Sequence, residues 1–270
     1  MKKIMLAAAA ACGAYLFMVK GRSGHPGLKQ LQKFSYAHRG LHGNGIPENS
    51  MAAFRAALEK GYGIELDIHL MADGELAVIH DTSLKRTAGV DLLIEEISLA
   101  KAQEFYLEAS QERVPDFEDF LKMVDGRIPL IIELKTVGNT EALCKRVMEA
   151  LEGYEGVYCI ESFDPSVVKW LRQNAPWVVR GQLAGHLRRG GDSNIKKSHD
   201  FLLKTLLVNP FFGGKPDFVA YKYEDIDSVW LKTFRGAKFT WTIKSYEDLK
   251  RAESRGIPGI FEQFNPKDYE

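Results

Sequence analysis

Two stretches decide the fold of this chain: Gly63–Leu70, which reads GIELDIHL, and Leu130–Lys135, which reads LIIELK. In the first, Glu65 and Asp67 alternate with aliphatic residues, and Glu133 repeats the pattern in the second. Successive side chains of a β-strand point to opposite faces, so the acids share one face and the aliphatic residues share the other. On the strands of an α/β barrel, we expect the aliphatic face to contact the helices and the acids to point inward.

Outward from these stretches, strand patterns alternate with helix patterns along most of the chain. The predicted strands are Phe34–His38, Gly63–Leu70, Pro129–Lys135, Val157–Phe163, Val178–Leu183, Asp217–Tyr221, Lys238–Ile243 and Gly259–Glu262. The predicted helices are Ser50–Lys60, Phe117–Val124, Thr140–Leu151, Ser166–Gln173, Asp225–Phe234 and Tyr246–Arg255. Eight strands that alternate with helices predict a TIM (β/α)₈ barrel over residues 34–270. An open doubly wound sheet is the alternative, but no glycine-rich phosphate loop follows the first strand.

A hairpin interrupts the alternation after the second strand. Asp73-Gly74 is the strongest short signal for such a turn. A two-residue turn at this position sets Asp67 opposite His80 and brings Glu65 near Thr82. The pattern therefore predicts a hairpin that delivers His80 to the acids.

Two further segments lie outside the repeating pattern. A long insert runs from His186 to Pro216, basic at its start and apolar further on. A loop of this length in a barrel is typically a lid or a binding segment, and a plain packing helix is the alternative. Too few residues follow the last strand for a normal closing helix, so we expect Leu28–Lys33 to cover the bottom of the barrel.

Residues 1–33 precede the barrel and contain an uncharged apolar run, Ile4–Val19, flanked by Lys3 and Lys20. The run continues into basic residues without a good cleavage site, which favours an uncleaved anchor over a signal peptide. It is slightly short against the roughly 20 residues that a bilayer usually needs, although flanking lysines can snorkel. We therefore expect one N-terminal membrane-anchor helix and a membrane-associated protein. Positive charge flanks both ends, which leaves open the side of the membrane that the barrel faces.

The overall charge is balanced. Lysine and arginine together number 36, as do aspartate and glutamate. Such a balance creates no field that attracts nucleic acid, so we expect no nucleic-acid partner. Cys12 lies in the N-terminal apolar run, and Cys144 and Cys159 show no metal-ligand spacing, so we expect no disulfide framework.

Glu65, Asp67 and Glu133 are candidate metal ligands. Two inward carboxylates one pleat apart repel each other unless a cation or a shared proton compensates. Three carboxylate ligands suit a hard ion, and we expect one divalent cation, Mg²⁺ or Ca²⁺. The alternative is that Glu133 pairs with Lys135 or Arg39 and that no metal binds.

His38 and His80 are candidate catalytic residues, since each precedes a charged residue and both are near the acids. In that company, general acid/base catalysis is a better interpretation than two structural histidines. Arg39 supplies a planar fork for phosphate oxygens, and Lys135 supplies a second positive charge. These residue types suit a metal-dependent phosphodiesterase.

For three further polar residues near these motifs, we do not expect a main role in the chemistry. Asp81 orients the hairpin or Arg86 rather than acting in the chemistry. Glu48 belongs mainly to a helix cap in Pro47–Ser50. His69 shares the face of the two acids but lies beyond them, so it is an outside candidate only.

Taken in order, the motifs of this chain resemble the signature of the glycerophosphodiester phosphodiesterase family. The matching motifs are His38-Arg39-Gly40, Pro47-Glu48-Asn49-Ser50, Glu65-x-Asp67, Asp73-Gly74, His80-Asp81, Arg86-Thr87, Val114-Pro115, Ile132-Glu133-Leu134-Lys135, Ser162-Phe163-Asp164-Pro165, Gly181-Gln182-Leu183 and Trp241-Thr242. The likeness covers nearly everything from Phe34 to about Gly259. The ordered set is highly specific, although no single motif would be.

This resemblance implies a TIM barrel that cleaves small glycerophosphodiesters, such as glycerophosphocholine, to an alcohol and glycerol 3-phosphate. It also implies roles for the seven candidate residues. The implied roles are an acid/base pair for His38 and His80, metal binding for Glu65, Asp67 and Glu133, and phosphate binding for Arg39 and Lys135. The chain departs from the family at the last strand, where a Thr-Asp pair is usual and Phe261–Phe264 reads FEQF. The resemblance therefore does not extend to that strand's part in substrate choice.

Two other functions fit the same residues. A phospholipase C or a sphingomyelinase-D-like lipid phosphodiesterase would share the barrel and a similar histidine and carboxylate set. The apolar N-terminal run and the apolar insert favour such an enzyme, whereas the motifs around Arg86, Ser162 and Gln182 favour the glycerophosphodiester family. The second alternative is an inactive barrel that binds a ligand at a membrane, although every expected site position is filled.

Overall fold

The computed structural model describes residues 2–22, 24–185 and 213–269. Its strands are β1 Tyr36–His38, β2 Gly63–Leu70, β3 Leu76–Val78, β4 Leu130–Leu134, β5 Tyr158–Ser162, β6 Val179–Ala184, β7 Phe218–Lys222, β8 Ala237–Ile243 and β9 Gly259–Phe261. Its α-helices are α1 Lys2–Met18, α2 Leu28–Leu31, α3 Met51–Lys60, α4 Lys85–Ala88, α5 Leu99–Ala102, α6 Phe117–Val124, α7 Thr140–Ala150, α8 Pro165–Asn174, α9 Val229–Thr233 and α10 Tyr246–Glu253. Short 3₁₀ turns cover Ile94–Glu96, Tyr223–Asp225 and Pro266–Tyr269.

The sheet closes on itself. Strand β1 pairs in parallel with β2 on one side and with β9 on the other. The strand order is β1-β9-β8-β7-β6-β5-β4-β2, with β3 added antiparallel to β2. Eight parallel strands thus form a TIM barrel, as predicted. The open sheet is excluded because such a sheet would leave two strands with an unpaired edge.

Local sequence signals set the ends of several elements. Helix α3 begins after Ser50, whose hydroxyl accepts a hydrogen bond from the Ala53 amide at 3.1 Å. It ends at Gly61, which adopts the left-handed conformation that glycine tolerates, with φ 71°. The predicted helix over Asp225–Phe234 is shorter than expected. Ser228 caps α9 by accepting from the Leu231 amide, so a 3₁₀ turn and a short helix replace one long helix.

The hairpin forms, but its predicted register is wrong by one residue. Strand β2 pairs Ile68 with Val78, and the Ile79 amide donates to the Asp67 carbonyl at 3.0 Å. Asp67 therefore lies opposite Ile79 and not opposite His80. The turn has three residues because contacts outside the hairpin hold a longer loop: the Ala72 amide donates to the Ile97 carbonyl at 3.1 Å. Such a loop with a left-handed glycine at its end, here Gly74 at φ 85°, is a common hairpin connection.

The bottom of the barrel is closed by α2, as predicted. Leu31 is fully buried against side chains from inside the barrel, among them Tyr36, Phe218 and Phe239. The Tyr36 hydroxyl donates to the Leu31 carbonyl at 2.7 Å, which satisfies the polar end of a buried ring. Burial of these aromatic rings fills the lower barrel and leaves the opposite end for polar groups.

The N-terminal segment is tied to this same bottom end. The Arg22 side chain donates to both carboxylate oxygens of Asp217 at 2.6 and 2.5 Å, and also bonds the Pro176 and Val178 carbonyls. Asp217 is fully buried and precedes β7, so the contact lies where the strands begin. The segment before the barrel is therefore attached to it rather than loosely linked.

The predicted anchor run does form a helix, α1, and its residues are largely exposed. Ile4, Met5 and Leu6 have 75%, 69% and 75% of their surface accessible. Within the described part of the chain, however, no helix combines the length and the apolar character needed to cross a bilayer. The expected membrane-spanning anchor is therefore not supported. Most of the predicted insert, 186–212, lies outside the described residues.

We predict that Arg22→Ala destabilises the fold by about 3 kcal/mol, because it leaves the buried Asp217 carboxylate without its ion-pair partner. Urea unfolding of the full chain measures this change. Arg55→Ala is the matched control, since Arg55 is exposed on α3, and should change stability by less than about 0.5 kcal/mol. Equal stability of the two variants would show that the Arg22 contact does not hold the segment.

Candidate active site

Three carboxylates lie in one row across neighbouring strands inside the upper barrel. The ladder of parallel strands pairs Asp67 on β2 with Glu133 on β4, and Glu133 with Glu161 on β5. Paired residues of a ladder point to the same face, and all three side chains are buried. Glu65 lies one pleat below Asp67 and is paired with His38 on β1. The strand register therefore brings acids from β2 and β4 together, as predicted.

Glu65, Asp67 and Glu133 bring one oxygen each to within 4.8 Å of one another. Burial, together with the like charges of the other two acids, raises the pKa of Glu65 well above its usual range. Burial raises the pKa of Glu133 to about 7, although Lys135 opposes the shift. The acids thus repel one another enough to favour protonation, and a bound cation would remove that cost.

Lys135 and Arg39 are the positive groups nearest to the acids among the described residues. The Lys135 ammonium lies 2.9 Å from Asp67 Oδ1 and 2.7 Å from Glu133 Oε1. Burial alone would raise the pKa of Asp67, but Lys135 and then other positive groups hold it far below its usual range. The Asn49 amide also donates to Asp67 at 2.8 Å. The alternative pairing of Glu133 with Lys135 is therefore present in the structure.

These pairings do not balance the charge of the row. Among the residues that the structure describes, the four buried carboxylates of Glu65, Asp67, Glu133 and Glu161 face two cations in this part of the barrel, Arg39 and Lys135. The Oε2 atom of Glu161 is buried without a hydrogen-bond partner among the described residues. An all-oxygen donor set with an excess of negative charge fits a hard divalent ion such as Mg²⁺ or Ca²⁺.

His38 lies at the end of β1 and is oriented by a carboxylate that directly follows the last strand, β9. Its Nδ1 donates to Glu262 Oε2 at 2.7 Å, and its Nε2 lies 3.9 Å from Glu65 Oε2. The hydrogen bond from His38 lowers the pKa of Glu262 to about 2, so this carboxylate is ionised and accepts the Nδ1 proton. His38 Nε2 is thereby directed toward the acids.

His80 is oriented in the same way by Asp81, which accepts at 2.7 Å from His80 Nδ1. Asp81 also accepts from Arg86 Nε at 2.6 Å, and Arg86 bonds both oxygens of Glu48. Glu48 in turn accepts from Arg39 Nη1 at 2.8 Å. A continuous chain of charged hydrogen bonds therefore links the His80 imidazole to the Arg39 guanidinium.

The turn after β1 aims Arg39 at the site. Arg39 has a left-handed backbone with φ 55°, which is uncommon for a residue other than glycine, and its amide donates to Glu65 Oε2 at 3.0 Å. Gly40 follows at φ 79°, and a Cβ atom there would lie 2.8 Å from Ala53 Cβ. Only glycine fits this position, which explains the glycine of the His38–Gly40 motif.

The predicted site residues are brought together around one cavity of about 90 Å³. Six of the seven line it: His38, Arg39, Glu65, His80, Glu133 and Lys135. The seventh, Asp67, contacts two of these lining residues, Arg39 and Lys135. His69 is buried behind this group and bonds the His80 carbonyl at 3.2 Å, so it supports the hairpin.

Sequence reasoning missed Glu262 and Glu161 and undervalued Asp81 and Glu48. The Glu161 signal was present, since Cys159–Ser162 continues the same apolar and acidic alternation. Asp81 and Glu48 were predicted to have structural roles, and they do. The residues that they hold, however, are two of the candidate site residues, His80 and Arg39. Glu262 is 224 positions from His38, and no local pattern connects them.

A barrel with acids, two oriented histidines and an arginine at the strand ends defines a hydrolase-type site. The model of the glycerophosphoryl diester phosphodiesterase family matches residues 38–264. A glycerophosphodiester phosphodiesterase of Bacillus altitudinis is 31% identical over 242 residues, which cover 85% of this chain and 94% of that one. A glycerophosphodiester phosphodiesterase of Caldanaerobacter subterraneus is 29% identical, and the alignment covers 83% of this chain and 91% of that one. The chain belongs to this family and is a phosphodiester hydrolase.

Solved structures share the fold. A phosphodiesterase of Oleispira antarctica, solved with the product sn-glycerol-3-phosphate, superposes with a TM-score of 0.72 at 20% identity. The alignment covers 87% of this chain and 94% of that one. A glycerophosphodiester phosphodiesterase of Thermotoga maritima gives 0.65 at 21% identity, covering 85% of this chain and 93% of that one. At identities this low, the superpositions support the barrel fold alone.

We predict that Mg²⁺ or Ca²⁺ stabilises the fold, by about 2.7 kcal/mol at a concentration of 100 times Kd, because the ion binds the folded acids only. Calorimetric unfolding with and without the ion measures the shift. Glu133→Gln should abolish the shift, whereas Glu59→Gln, an exposed acid on α3, should keep it. A shift that persists in Glu133→Gln would remove Glu133 from the ligands.

Proposed function

We propose that the protein hydrolyses glycerophosphodiesters to an alcohol and sn-glycerol 3-phosphate, with one divalent cation and two catalytic histidines. The observation that carries this proposal is the arrangement of His38 and His80 around one cavity with Glu65 and Glu133. Membership of the family supports the reaction class. The two carboxylate-oriented imidazoles support the mechanism.

The metal ligands in this proposal are Glu65, Asp67 and Glu133. When bound there, a divalent ion supplies positive charge that stabilises the charge developing on the phosphate oxygens. Arg39 and Lys135 bind the remaining phosphate oxygens. Lys135 contacts Asp67 and Glu133, and its ammonium group would be available for the substrate if those acids held a cation.

The histidines transfer the protons. Water adds across the phosphorus–oxygen bond, so one proton must leave the attacking oxygen and another must reach the departing alcohol. One imidazole of His38 and His80 accepts the first proton, and the other donates the second. Glu262 and Asp81 hold the Nδ1–H of each ring, which leaves each Nε2 for this exchange.

The place where the N-terminal segment attaches favours a water-soluble diester over an intact phospholipid. Arg22 is bonded at the bottom of the barrel, whereas His38 and Glu133 lie at the strand ends on the opposite side. If α1 contacts a membrane, the point where its segment joins the barrel lies at the end opposite the cavity. This geometry disfavours the alternative of a lipase-like phosphodiesterase that acts on the bilayer to which it is bound.

We predict that His38→Ala and His80→Ala each lower kcat/KM for glycerophosphocholine by about 10²–10⁴-fold in Mg²⁺ or Ca²⁺, because each removes a proton-transfer group. Release of sn-glycerol 3-phosphate is the assay, and EDTA should stop the wild-type reaction. His25→Ala is the matched control, because His25 bonds the Trp177 carbonyl far from the cavity. Full turnover in either site variant would remove that histidine from the mechanism.

Parallel assays on phosphatidylcholine vesicles separate the substrate classes. We expect turnover of glycerophosphocholine and little or none of the intact phospholipid. Faster cleavage of the phospholipid would favour the lipid phosphodiesterase. Binding without turnover of either compound, with the metal bound, would favour the inactive ligand-binding barrel.

We also propose that the protein associates with a membrane through residues 1–33. The support is the exposed apolar surface of α1 between flanking lysines. The double variant Ile4→Asp/Leu6→Asp should leave the membrane fraction, since it places two charges on the apolar surface that would contact the lipid. Leu93→Asp, an exposed leucine on the barrel, is the control. Equal partitioning of both variants would contradict the proposal.

A further inference from the structure

A second group of metal-ligating atoms lies beside the acidic row. His38, His42 and Glu262 offer one ligand atom each, all within 4.8 Å of one another. Glu262 Oε2 lies 2.7 Å from His38 Nδ1 and 3.9 Å from His42 Nε2. The group shares no residue with Glu65, Asp67 and Glu133, and it combines two imidazoles with one carboxylate.

His42 supplies an independent sign that a ligand belongs here. Its Nε2 atom is shielded from solvent and has no hydrogen-bond partner among the described residues. Only 15% of its side chain is accessible. An unpaired buried polar atom is unfavourable by about 1–3 kcal/mol, and this one points at a carboxylate that is too distant for a direct hydrogen bond. A metal ion between Nε2 and Glu262 would satisfy the unpaired nitrogen of His42.

We propose that His38, His42 and Glu262 form a regulatory site for Zn²⁺ or a similar transition metal ion. Imidazole nitrogen suits such ions, and two histidines with one glutamate plus water form a common four-coordinate zinc set. Mg²⁺ and Ca²⁺ prefer the all-oxygen row instead. Lys244 lies 3.0 Å from the other oxygen of Glu262, but its side chain is 60% exposed and can turn toward solvent.

Zinc at this site would stop the proposed reaction by changing the tautomer of His38. Without zinc, Nδ1 carries the proton and donates to Glu262, while Nε2 keeps the lone pair. Zinc needs the lone pair of Nδ1, so the single proton of the neutral ring moves to Nε2. His38 then can neither accept a proton at Nε2 nor form the imidazolium ion from which it would donate one. This inhibitory effect rests on the proposed function, whereas the metal binding does not.

Calorimetric titration of the full chain with Zn²⁺, in saturating Mg²⁺, tests the binding. The wild type should bind one zinc ion that His42→Ala and His42→Gln bind about 100-fold more weakly, because a ligand is lost. His25→Ala, a histidine at the other end of the barrel, should bind zinc as the wild type does. Undiminished binding by both His42 variants would overturn the site.

The same variants test the inhibition. Zn²⁺ should inhibit the Mg²⁺-supported turnover of glycerophosphocholine by the wild type and by His25→Ala. The His42 variants should retain turnover without zinc and resist inhibition by about 100-fold more Zn²⁺. Inhibition that added Mg²⁺ relieves, equally in all variants, would place zinc on the acidic row and overturn the inference. Zinc binding that depends on His42 in a protein without turnover would instead contradict the proposed function alone.

Discussion

The repulsion among buried carboxylates in one row of the barrel is the constraint on which the rest of the site depends. Asp67, Glu133 and Glu161 come from three neighbouring strands and face the same interior space. With Glu65 they make four buried acids beside two cations, Arg39 and Lys135, in the part of the barrel that the structure describes. Such an arrangement favours either shared protons or a bound cation. Lys135 offsets part of the charge by contacting two of the acids at once.

The histidines are tied to this row from both sides. Glu262 orients His38 from the position directly after the last strand, and Asp81 orients His80 from the hairpin. The chain of ionic hydrogen bonds through Arg86 and Glu48 then fixes the hairpin against the turn after β1. If these histidines transfer the protons, as proposed, groups held in this way need little rearrangement when a substrate enters.

Alternating sequence patterns predicted much of this arrangement. Glu65, Asp67 and Glu133 could be placed on one face because the period of a strand fixes the direction of each side chain. The hairpin register could not be predicted, since Ile97 holds the turn from outside the hairpin. The pairing of His38 with Glu262 was also hidden, because it depends on barrel closure and on a residue that departs from the family pattern.

The two ends of the barrel have different roles. The bottom is filled by aromatic side chains and holds the N-terminal segment through Arg22 and Asp217. The top holds the polar groups where the strands end, as TIM barrel enzymes do. The attachment of the N-terminal segment and the candidate active site are thus separated by the length of the strands.

The most direct test of the account is an anomalous diffraction map from crystals grown with Mn²⁺ and sn-glycerol 3-phosphate. We predict one peak within about 2.5 Å of oxygens from Glu65, Asp67 and Glu133, with the phosphate between His38 and His80. A peak elsewhere, or a Lys135 ammonium that keeps Asp67 and Glu133 paired with no ion beside them, would contradict it.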